Sequence, residues 1–175
     1  MRQKLRVAAY AICVRDGQIL LARSPAAWGS PLLERSRELG GGTPEWVVPG
    51  GGMEHGEDPY DTVRREVEEE TGYRIEVTGL LGVDSSRHTF RERFGRSVDH
   101  HGVRLVYEGR VIGGELRNEV GGSTDLAAWQ DLDAVPGLVR VRMVDIALRL
   151  WRERPVTGRL IGTADVEQAQ EQAPE

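Results

Sequence analysis

The sequence has almost no cysteine: Cys13 is the only one among 175 residues. A disulfide framework needs pairs of cysteines, so the fold must depend on an apolar core instead. A lone thiol within an apolar run is typical of proteins that stay in a reducing compartment. We therefore expect a cytoplasmic protein without disulfides.

Long apolar runs are also missing. A membrane-spanning helix needs about 20 consecutive apolar residues, whereas the longest run here, Val7 to Val14, has eight. Arg2, Lys4 and Arg6 precede this run as in a secretory signal, but it continues into Arg15-Asp16-Gly17 without a small-residue cleavage site. We expect no membrane-spanning segment.

The sequence has fewer basic residues than acidic ones. The chain has 23 Lys and Arg against 28 Asp and Glu, a formal net charge of −5. Nonspecific binding to nucleic acid depends on clustered Lys and Arg, so this composition argues against a polymeric nucleic-acid partner. An acidic protein can still bind small phosphate compounds through a metal ion.

The length favours one domain. A chain of 175 residues with 39% hydrophobic residues suffices for one core. Periodic apolar patterning ends near Pro155, and the chain is rich in Gln and Glu from Glu167 onward. We predict a single domain over residues 1–155 and a poorly ordered C-terminal tail over residues 156–175.

The patterning predicts a mixed α and β fold. Asp16-Gly17 is a strong turn signal between two β-prone runs, Val7–Val14 and Gln18–Ala22, and predicts a β-hairpin. Further strands are predicted at 45–48, 75–83, 103–111 and 126–132, and a closing amphipathic helix at 139–152. The segment from Ser24 to Pro44, with one helical turn predicted near Leu32 to Leu39, is a long connection of the kind that often carries function.

The clearest helix signals lie between Asp58 and Thr71. Asp58 is a good N-cap, and Gly72 is suited to the left-handed residue that ends a helix. An apolar stripe for the core is predicted from Tyr60, Val63 and Val67.

Three glutamates of this helix, Glu66, Glu69 and Glu70, have spacings that chemistry can use. Residues at i, i+3 and i+4 share one face of a helix, so their carboxylates should cluster and repel one another unless a cation compensates them. Carboxylate oxygens are ligands that Mg²⁺ prefers. Taken alone, such a cluster also fits an ordinary solvated helical face.

The segment from Gly51 to Tyr73 settles this ambiguity because it resembles the Nudix box. That motif is a glycine, five residues, Glu, seven residues, Arg-Glu, an aliphatic residue, one residue, Glu-Glu, one residue, Gly and a hydrophobic residue. The positions are filled by Gly51, Glu57, Arg65, Glu66, Val67, Glu69, Glu70, Gly72 and Tyr73. Tyr73 is the one departure, since relatives usually carry an aliphatic residue there.

The resemblance implies an α/β/α sandwich with a mixed β-sheet and a catalytic loop-helix-loop. It also implies that Glu66, Glu69 and Glu70 bind Mg²⁺, which Mn²⁺ can replace, together with the backbone carbonyl of Gly51. Glu57, Arg65 and Gly72 would then support the box structurally, Glu57 through a pair with Arg65. Glu66 is the first candidate for the general base, although the base differs among members of the family.

Residues outside the box are weaker candidates. Many relatives use an additional acid from a later loop, and Glu119 is the best placed here, with Asp125 in reserve.

A basic stretch that includes Arg87, Arg91 and Arg93 is a candidate for binding substrate phosphates; a solvated loop is the alternative. His100 and His101 are adjacent strand residues, so at most one of them faces a given site. Trp28, Phe90 and Tyr107 are candidates either for stacking on a base or for ordinary packing.

The resulting hypothesis is a Mg²⁺-dependent hydrolase that cleaves the pyrophosphate bond of a nucleoside diphosphate linked to another moiety. Two alternatives stay open: a non-catalytic nucleotide sensor on the same fold, and an RNA 5′-end pyrophosphohydrolase. Relatives that resemble ADP-ribose hydrolases tend to carry a proline some way beyond the box, and this chain has no proline between Pro59 and Pro136, so the resemblance to ADP-ribose hydrolases is weaker. The sequence does not choose among the other phosphoanhydrides, and it leaves a homodimer open.

Overall fold

A computed structural model describes residues 2–25, 43–91 and 97–161. Within these ranges the strands are β1 (Arg2–Ile12), β2 (Val14–Arg15), β3 (Gln18–Ser24), β4 (Glu45–Val47), β5 (Gly50–Gly52), β6 (Tyr73–Arg91), β7 (Ser97–Gly114) and β8 (Leu126–Asp131). The helices are α1 (Pro59–Thr71) and α2 (Arg142–Glu153), and a 3-10 turn covers Val135–Gly137. None of these described helices is long and apolar enough to cross a membrane.

The strands form two sheets. The first is mixed, in the order β5-β1-β7-β6, with β1 and β7 parallel and the other neighbours antiparallel. The second is antiparallel, with β3 pairing with β2, β4 and β8. The mixed sheet is the one predicted, and the second sheet is an addition to that prediction.

The two sheets meet at the predicted hairpin. Asp16 and Gly17 have φ angles of 50° and 76°, as a tight hairpin turn requires, so the turn prediction was correct. The run from Val7 to Val14 is nevertheless not one strand, because β1 ends at Ile12 and only β2 pairs with β3. A continuous apolar run shows that both sides of the chain are buried but does not show where the chain leaves one sheet for another.

Helix α1 has the predicted caps and most of the predicted core contacts. The Tyr60 backbone N–H donates to Asp58 Oδ1, and Gly72 has a φ of 76° and donates its N–H to Glu68 O. Val63 and Val67 are fully buried. Tyr60 is 43% exposed, so its predicted place in the core stripe was wrong. Its ring lies beside the guanidinium of the neighbouring Arg64 instead.

The helices cover opposite faces of the sheet layer, which gives the expected α/β/α sandwich. One core cluster joins α1 to the first sheet, and its fully buried members include Ala9, Ala11, Leu20, Val63 and Val67. The other cluster joins α2 to the opposite face, and its members include Ile12, Ile19, Leu21, Val106 and Val144. Alternate residues of β3 therefore enter different cores, as the two-residue period of a strand requires.

The β6 and β7 hairpin is longer than predicted. Strands were expected at 75–83 and 103–111, whereas pairing continues outward to Arg91 and Ser97. Most residues of the outer part are polar on both faces of the hairpin. The sequence there has no alternation of apolar and polar residues from which strands could be predicted. Cross-strand ion pairs such as Arg87 with Asp99 occupy its surface instead.

Both ends of the last helical region differ from the prediction. Helix α2 begins at Arg142 instead of Val139, because the Trp46 backbone N–H donates to Val139 O and the Val141 N–H donates to Trp46 O. The described chain extends beyond the predicted boundary at residue 155. Leu160 is only 5% exposed, and the Val83 N–H donates to Gly158 O, so the chain continues to pack after the helix.

Several predictions fall on residues 26–42, 92–96 or 162–175, which lie outside the described residues. These are the helical turn near Leu32, the candidate stacking residue Trp28, the candidate phosphate ligand Arg93 and the Gln/Glu-rich segment.

The atypical Tyr73 links the end of α1 to the second sheet. Its ring centroid lies 6.1 Å from that of Trp129 on β8, and Trp129 Nε1 donates to its hydroxyl at 3.4 Å. The guanidinium of Arg15 stacks 4.0 Å from the Trp129 ring. A tyrosine suits this position because it reaches a hydrogen-bonding partner that an aliphatic side chain would not.

Replacing Gly72 by alanine should destabilise the protein more than the same change at Gly56. Both glycines have left-handed φ angles, 76° and 85°, and the backbone alone should cost about 1–2 kcal/mol of unfolding free energy in each case. A Cβ at Gly72 would also lie 2.3 Å from Glu115 O, whereas one at Gly56 meets nothing within 4 Å. Urea unfolding of both variants measures the difference, and equal losses would contradict the packing role of Gly72.

Candidate active site

A cavity of about 190 Å³ lies at the edge of the mixed sheet, where β5 faces the middle of α1. Helix α1 contributes Glu66 and Glu70 to its lining, and β1 contributes Arg6 and Tyr10. The chain at Ser123 and Thr124 closes another side. Acidic groups from the helix and a cationic group from the sheet therefore share one cavity.

The three glycines of β5 allow this close approach. A Cβ at Gly51 would lie 2.5 Å from Glu66 Oε2 on one side of the strand. On the other side, a Cβ at Gly50 would lie 2.5 Å from Tyr10 Cα, and one at Gly52 would lie 3.1 Å from Arg6 Nη2. Both sides of the strand are already occupied by groups of the site, so side chains on β5 would displace them.

Glu70 is the most deeply buried acid of the cavity, with 3% of its surface exposed. Its Oε2 accepts the Gly50 backbone N–H at 3.0 Å, and its Oε1 accepts the Ser123 hydroxyl at 3.4 Å. Burial, reinforced by the charges of Glu66 and Glu119, raises the pKa of Glu70 to about 8. Among the described residues, none of the groups that shift the pKa of Glu70 is cationic.

The charges of Glu66 and Glu119 both contribute to the electrostatics around Glu70. Burial raises the pKa of Glu66, while its bond with Arg65 opposes the rise and the charges of Glu69 and Glu119 add to it. Glu119 accepts the Thr124 backbone N–H and hydroxyl at 2.9 Å, which folds its loop toward the cavity. Glu66, Glu70 and Glu119 thus influence one another electrostatically, as the candidate acid from a later loop would require.

Arg65 joins the acids of the box to one another. Its Nε and Nη2 donate to the two oxygens of Glu57 at 2.8 and 3.0 Å, the geometry of a bidentate pair. Its Nη1 donates to Glu66 at 2.8 Å and to Glu69 at 3.1 Å. Hydrogen bonds from Arg65 and from the Glu54 backbone lower the pKa of Glu57 to about 2. The loop before α1 is thereby tied to the helix.

Glu69 does not point toward Glu70. It is a neighbour of Glu66 and Glu70 by helical spacing, but its side chain is 51% exposed and turned to Arg65. Across residues 2–25, 43–91 and 97–161, no three His, Cys, Asp or Glu side chains converge on one point that could hold a metal. The physical reason is that Arg65 draws Glu66 and Glu69 to one side while the Gly50 N–H draws Glu70 to the other.

Two of the predicted site residues form ion pairs with other side chains. Asp125, the reserve acid, forms a bidentate pair with Arg23 at 2.9 and 3.0 Å. Arg87, a candidate phosphate ligand, pairs with Asp99 on the sheet face opposite Arg6 and does not line the cavity. Arg91 ends β6. The expected basic loop is a strand in this part, and the register places Arg87 in the row of Leu5 and His101, on the face opposite Arg6.

Arg6, Tyr10 and Ser123 line the cavity but were not predicted. The available signal for Arg6 was the alternation of basic residues at positions 2, 4 and 6, which places them on one face if this segment is a strand. Burial raises the pKa of Tyr10, so the tyrosine stays a neutral hydroxyl in the cavity. No local pattern points to Ser123, which reaches the site from the loop before β8.

Comparison with known proteins gives the same assignment over most of the chain. The model of the NUDIX domain matches residues 4–150. A MutT NUDIX hydrolase from Burkholderia pseudomallei is 30% identical, with a TM-score of 0.61, and the match covers 84% of this chain and 98% of that one. A NUDIX hydrolase from Nitrosomonas europaea, 20% identical with a TM-score of 0.59, shares the fold over 86% of this chain and 90% of its own.

Curated relatives carry different activities in their names. An ADP-ribose pyrophosphatase of Methanocaldococcus jannaschii is 38% identical over 93 residues, covering 53% of this chain and 50% of that protein. This chain therefore spans about half the length of that relative. An RNA pyrophosphohydrolase of Mesorhizobium japonicum is 28% identical over 144 residues, covering 74% of this chain and 81% of that protein.

The family match and the geometry agree on the same part of the molecule. The matched region contains both sheets and both helices, and the box residues lie where α1 approaches the glycine strand β5. This chain belongs to the NUDIX family of hydrolases.

Proposed function

We propose that this protein is a Mg²⁺-dependent hydrolase that cleaves the pyrophosphate bond of a nucleoside diphosphate linked to another moiety. The observation that carries the proposal is the buried Glu70, which lines one cavity together with Glu66 and Arg6. A cavity with carboxylates on one side and a guanidinium on the other can take both a cation and a phosphate chain. We place the enzyme in the cytoplasm, with small phosphoanhydrides and not polymeric nucleic acid as its partners.

The chemistry of these groups fits a divalent cation. Burial, and after it the charges of Glu66 and Glu119, raise the pKa of Glu70, and a cation there would offset that cost. We propose Glu66, Glu69, Glu70 and the Gly51 backbone carbonyl as ligands of Mg²⁺ or Mn²⁺. Among them Glu69 has the least geometric support, since its bond is to Arg65.

The chain's own residues have separate tasks in the proposed reaction. Bound Mg²⁺ would supply charge neutralisation and a water of lowered pKa. Glu66 is our first candidate to accept the proton of the attacking water, and Glu119 is the second, because the charges of both carboxylates act on Glu70. Arg6 would bind phosphate oxygens, and Glu57 would keep Arg65 and its helix in position. Attack on phosphorus breaks one P–O bond of the anhydride and leaves two phosphorylated products.

Hydrolysis of RNA 5′ ends is a second candidate. It is supported by the match to an RNA pyrophosphohydrolase over 81% of that relative. The net charge of −5 argues against a long RNA footprint. A sensor without catalysis has less support, since each of the box carboxylates Glu57, Glu66, Glu69 and Glu70 is present.

Replacing Glu69 and Glu70 together by glutamine should abolish metal-dependent hydrolysis without unfolding the protein. Loss of these ligands should lower kcat/KM by at least about 100-fold, while metal-free stability should be equal or higher because a buried like-charge cluster is relieved. Product formation from a panel of nucleoside diphosphate derivatives and 5′-triphosphate RNA measures this, with Mg²⁺, Mn²⁺ or chelator. Glu68→Gln, an exposed change on the same helix, is the matched control. Full activity in the double variant would refute the ligand assignment.

Arg65→Ala should lose both activity and stability, unlike the double glutamine variant. It removes four hydrogen bonds to Glu57, Glu66 and Glu69, and it leaves the loop before α1 without its tie. We expect the melting temperature to fall by several degrees and kcat to fall with it. Arg64→Ala changes an exposed neighbour and should do neither. Unchanged melting of Arg65→Ala would show that the network does not support the fold.

The pair of Glu57 with Arg65 should also appear as a dependence of stability on acid. The pKa of Glu57 is about 2 in the folded protein against an ordinary value of 4.5. A depressed folded pKa gives stability that is present above about pH 4.5 and is lost as the pH falls toward 2. Melting temperatures measured from pH 6 to pH 2 should therefore fall less steeply in Glu57→Gln than in wild type. Parallel curves would contradict the pair's contribution.

A further inference from the structure

Tyr10 has a fixed position in the wall of the cavity, on β1 opposite Gly50 of the glycine strand. A Cβ at Gly50 would lie 2.5 Å from Tyr10 Cα and 2.8 Å from its ring atom Cδ1, so the ring lies directly against this strand. The tyrosine also packs on the core cluster that α2 covers. Because the Gly50 N–H donates to Glu70, the ring and the buried acid are held by the same residue.

The hydroxyl of Tyr10 forms no hydrogen bond with any residue in the described parts of the chain. Among those residues, His100 Nδ1 is the one side-chain nitrogen or oxygen that is both fully buried and without a partner. The Tyr10 oxygen is therefore not sealed in the core, and it borders the open space of the cavity that the residue lines. A polar group in a cavity gains free energy when a ligand supplies its missing hydrogen bond.

The hydroxyl lies between the acidic and the cationic groups of the site. Burial raises the pKa of Tyr10, and among the charges that act on the hydroxyl, Arg6 and Arg104 lower that pKa whereas Glu70 and Glu66 raise it. Coulomb interactions weaken with distance, so the oxygen is within range of both sets. A compound that joins a cation at the acids to the guanidinium of Arg6 would pass this hydroxyl.

The chemistry of a phenol at this position favours a phosphate oxygen as its partner. A tyrosine hydroxyl keeps its proton up to about pH 10, so it is a neutral donor at physiological pH. A protonated phenol is a poor ligand for Mg²⁺, which prefers carboxylate, phosphate and water oxygens. Phosphate oxygens, in contrast, are strong acceptors, and hydrogen bonds to charged acceptors are stronger than those between neutral groups.

We propose that Tyr10 is a substrate-binding residue whose hydroxyl donates a hydrogen bond to a phosphate oxygen of the substrate, on the phosphate chain that Arg6 also binds. The inference rests on the proposed function, because that function supplies the phosphate chain. It adds a neutral donor to the guanidinium of Arg6. A hydroxyl gives a directed bond without adding positive charge, so Tyr10 orients the phosphates that Arg6 attracts.

Tyr10→Phe tests the proposal, because it removes the hydroxyl and keeps the ring against Gly50. The probe is methylenediphosphonate, a pyrophosphate analogue that contains no nucleoside and has a P–C–P link in place of the anhydride. Isothermal titration with Mg²⁺ present should show at least about tenfold weaker binding than in wild type, as expected for the loss of one hydrogen bond to a charged group. The melting temperature should not fall, since the ring contacts are kept.

Tyr107→Phe is the matched control. Tyr107 is a partly buried strand tyrosine that packs in the core cluster of α1 and does not line the cavity. Burial raises the pKa of Tyr107, as it does that of Tyr10. This variant should bind methylenediphosphonate as wild type does, and an equal loss of affinity in the two variants would overturn the proposal.

NMR signals of the tyrosine rings test the contact directly. The chain has four tyrosines, so selective isotope labelling of tyrosine gives few signals, which Tyr→Phe substitutions assign. Methylenediphosphonate with Mg²⁺ should shift the ring signals of Tyr10 and leave those of Tyr60 and Tyr107 in place. Unshifted Tyr10 signals at a saturating concentration of the probe would contradict the contact.

Kinetics should separate binding from turnover. A hydrogen bond made equally in the bound substrate and in the transition state changes KM and not kcat, so Tyr10→Phe should raise KM at least about tenfold with little change in kcat. The substrate is any compound of the panel that wild type cleaves. A lower kcat at unchanged KM would contradict the assignment to phosphate binding.

Failure of this proposal can be distinguished from failure of the proposed function. Equal probe affinity of wild type and Tyr10→Phe, or no binding of the probe to wild type, would overturn the role of Tyr10 even in an active hydrolase. Tyr10-dependent binding in a protein that hydrolyses no compound of the panel would support the phosphate contact and refute the hydrolase.

Discussion

The hydrogen bond from the Gly50 backbone N–H to the buried carboxylate of Glu70 joins the edge of the mixed sheet to the face of α1 that carries the box glutamates. It requires a carboxylate to leave water, and burial raises the pKa of that group to about 8. An acid kept in such a position without a full counter-charge is costly for folding. The cost is understandable if the cavity is built for a cation that is strongly attracted to the same oxygens.

Arg65 divides the remaining carboxylates between structure and chemistry. It binds both oxygens of Glu57 but shares a single nitrogen between Glu66 and Glu69. Glu57 is thereby fully engaged, and burial and neighbouring acids leave Glu66 with a raised pKa despite its bond. One guanidinium can thus fix the loop before the helix while the carboxylates nearest the cavity keep oxygens available for other partners.

Local signals in the sequence were enough to predict α1, its caps and the turn at Asp16-Gly17, because each depends on residues near one another in the chain. The pair of Glu57 with Arg65 was also predictable from the box. The outer hairpin of β6 and β7 was not, because its alternating polar residues satisfy one another across strands and carry no apolar period. Arg6 and Ser123 were missed for a related reason. They reach the cavity through sheet pairing and loop closure, which bring together residues more than 40 positions apart.

The direction of Glu69 shows the same limit within the box itself. Helical spacing places Glu66, Glu69 and Glu70 on one face, but the partners of each carboxylate decide where its oxygens point. Arg65 and the Gly50 N–H pull the three in different directions. A pattern in sequence can therefore identify the acids without determining which of them share a ligand.

The glycine strand β5 lies between the acids of α1 and the residues of β1 that line the cavity. On one side the acids of α1 are positioned by backbone and guanidinium contacts that do not depend on what the rest of the substrate is. On the other side Arg6 and Tyr10 line the same cavity. The chain is similar at 28–38% identity to relatives named for ADP-ribose, for RNA and for an oxidised nucleotide, so overall similarity does not identify the substrate. Since the fold supports several substrates with one chemistry, selectivity must arise from residues outside the box.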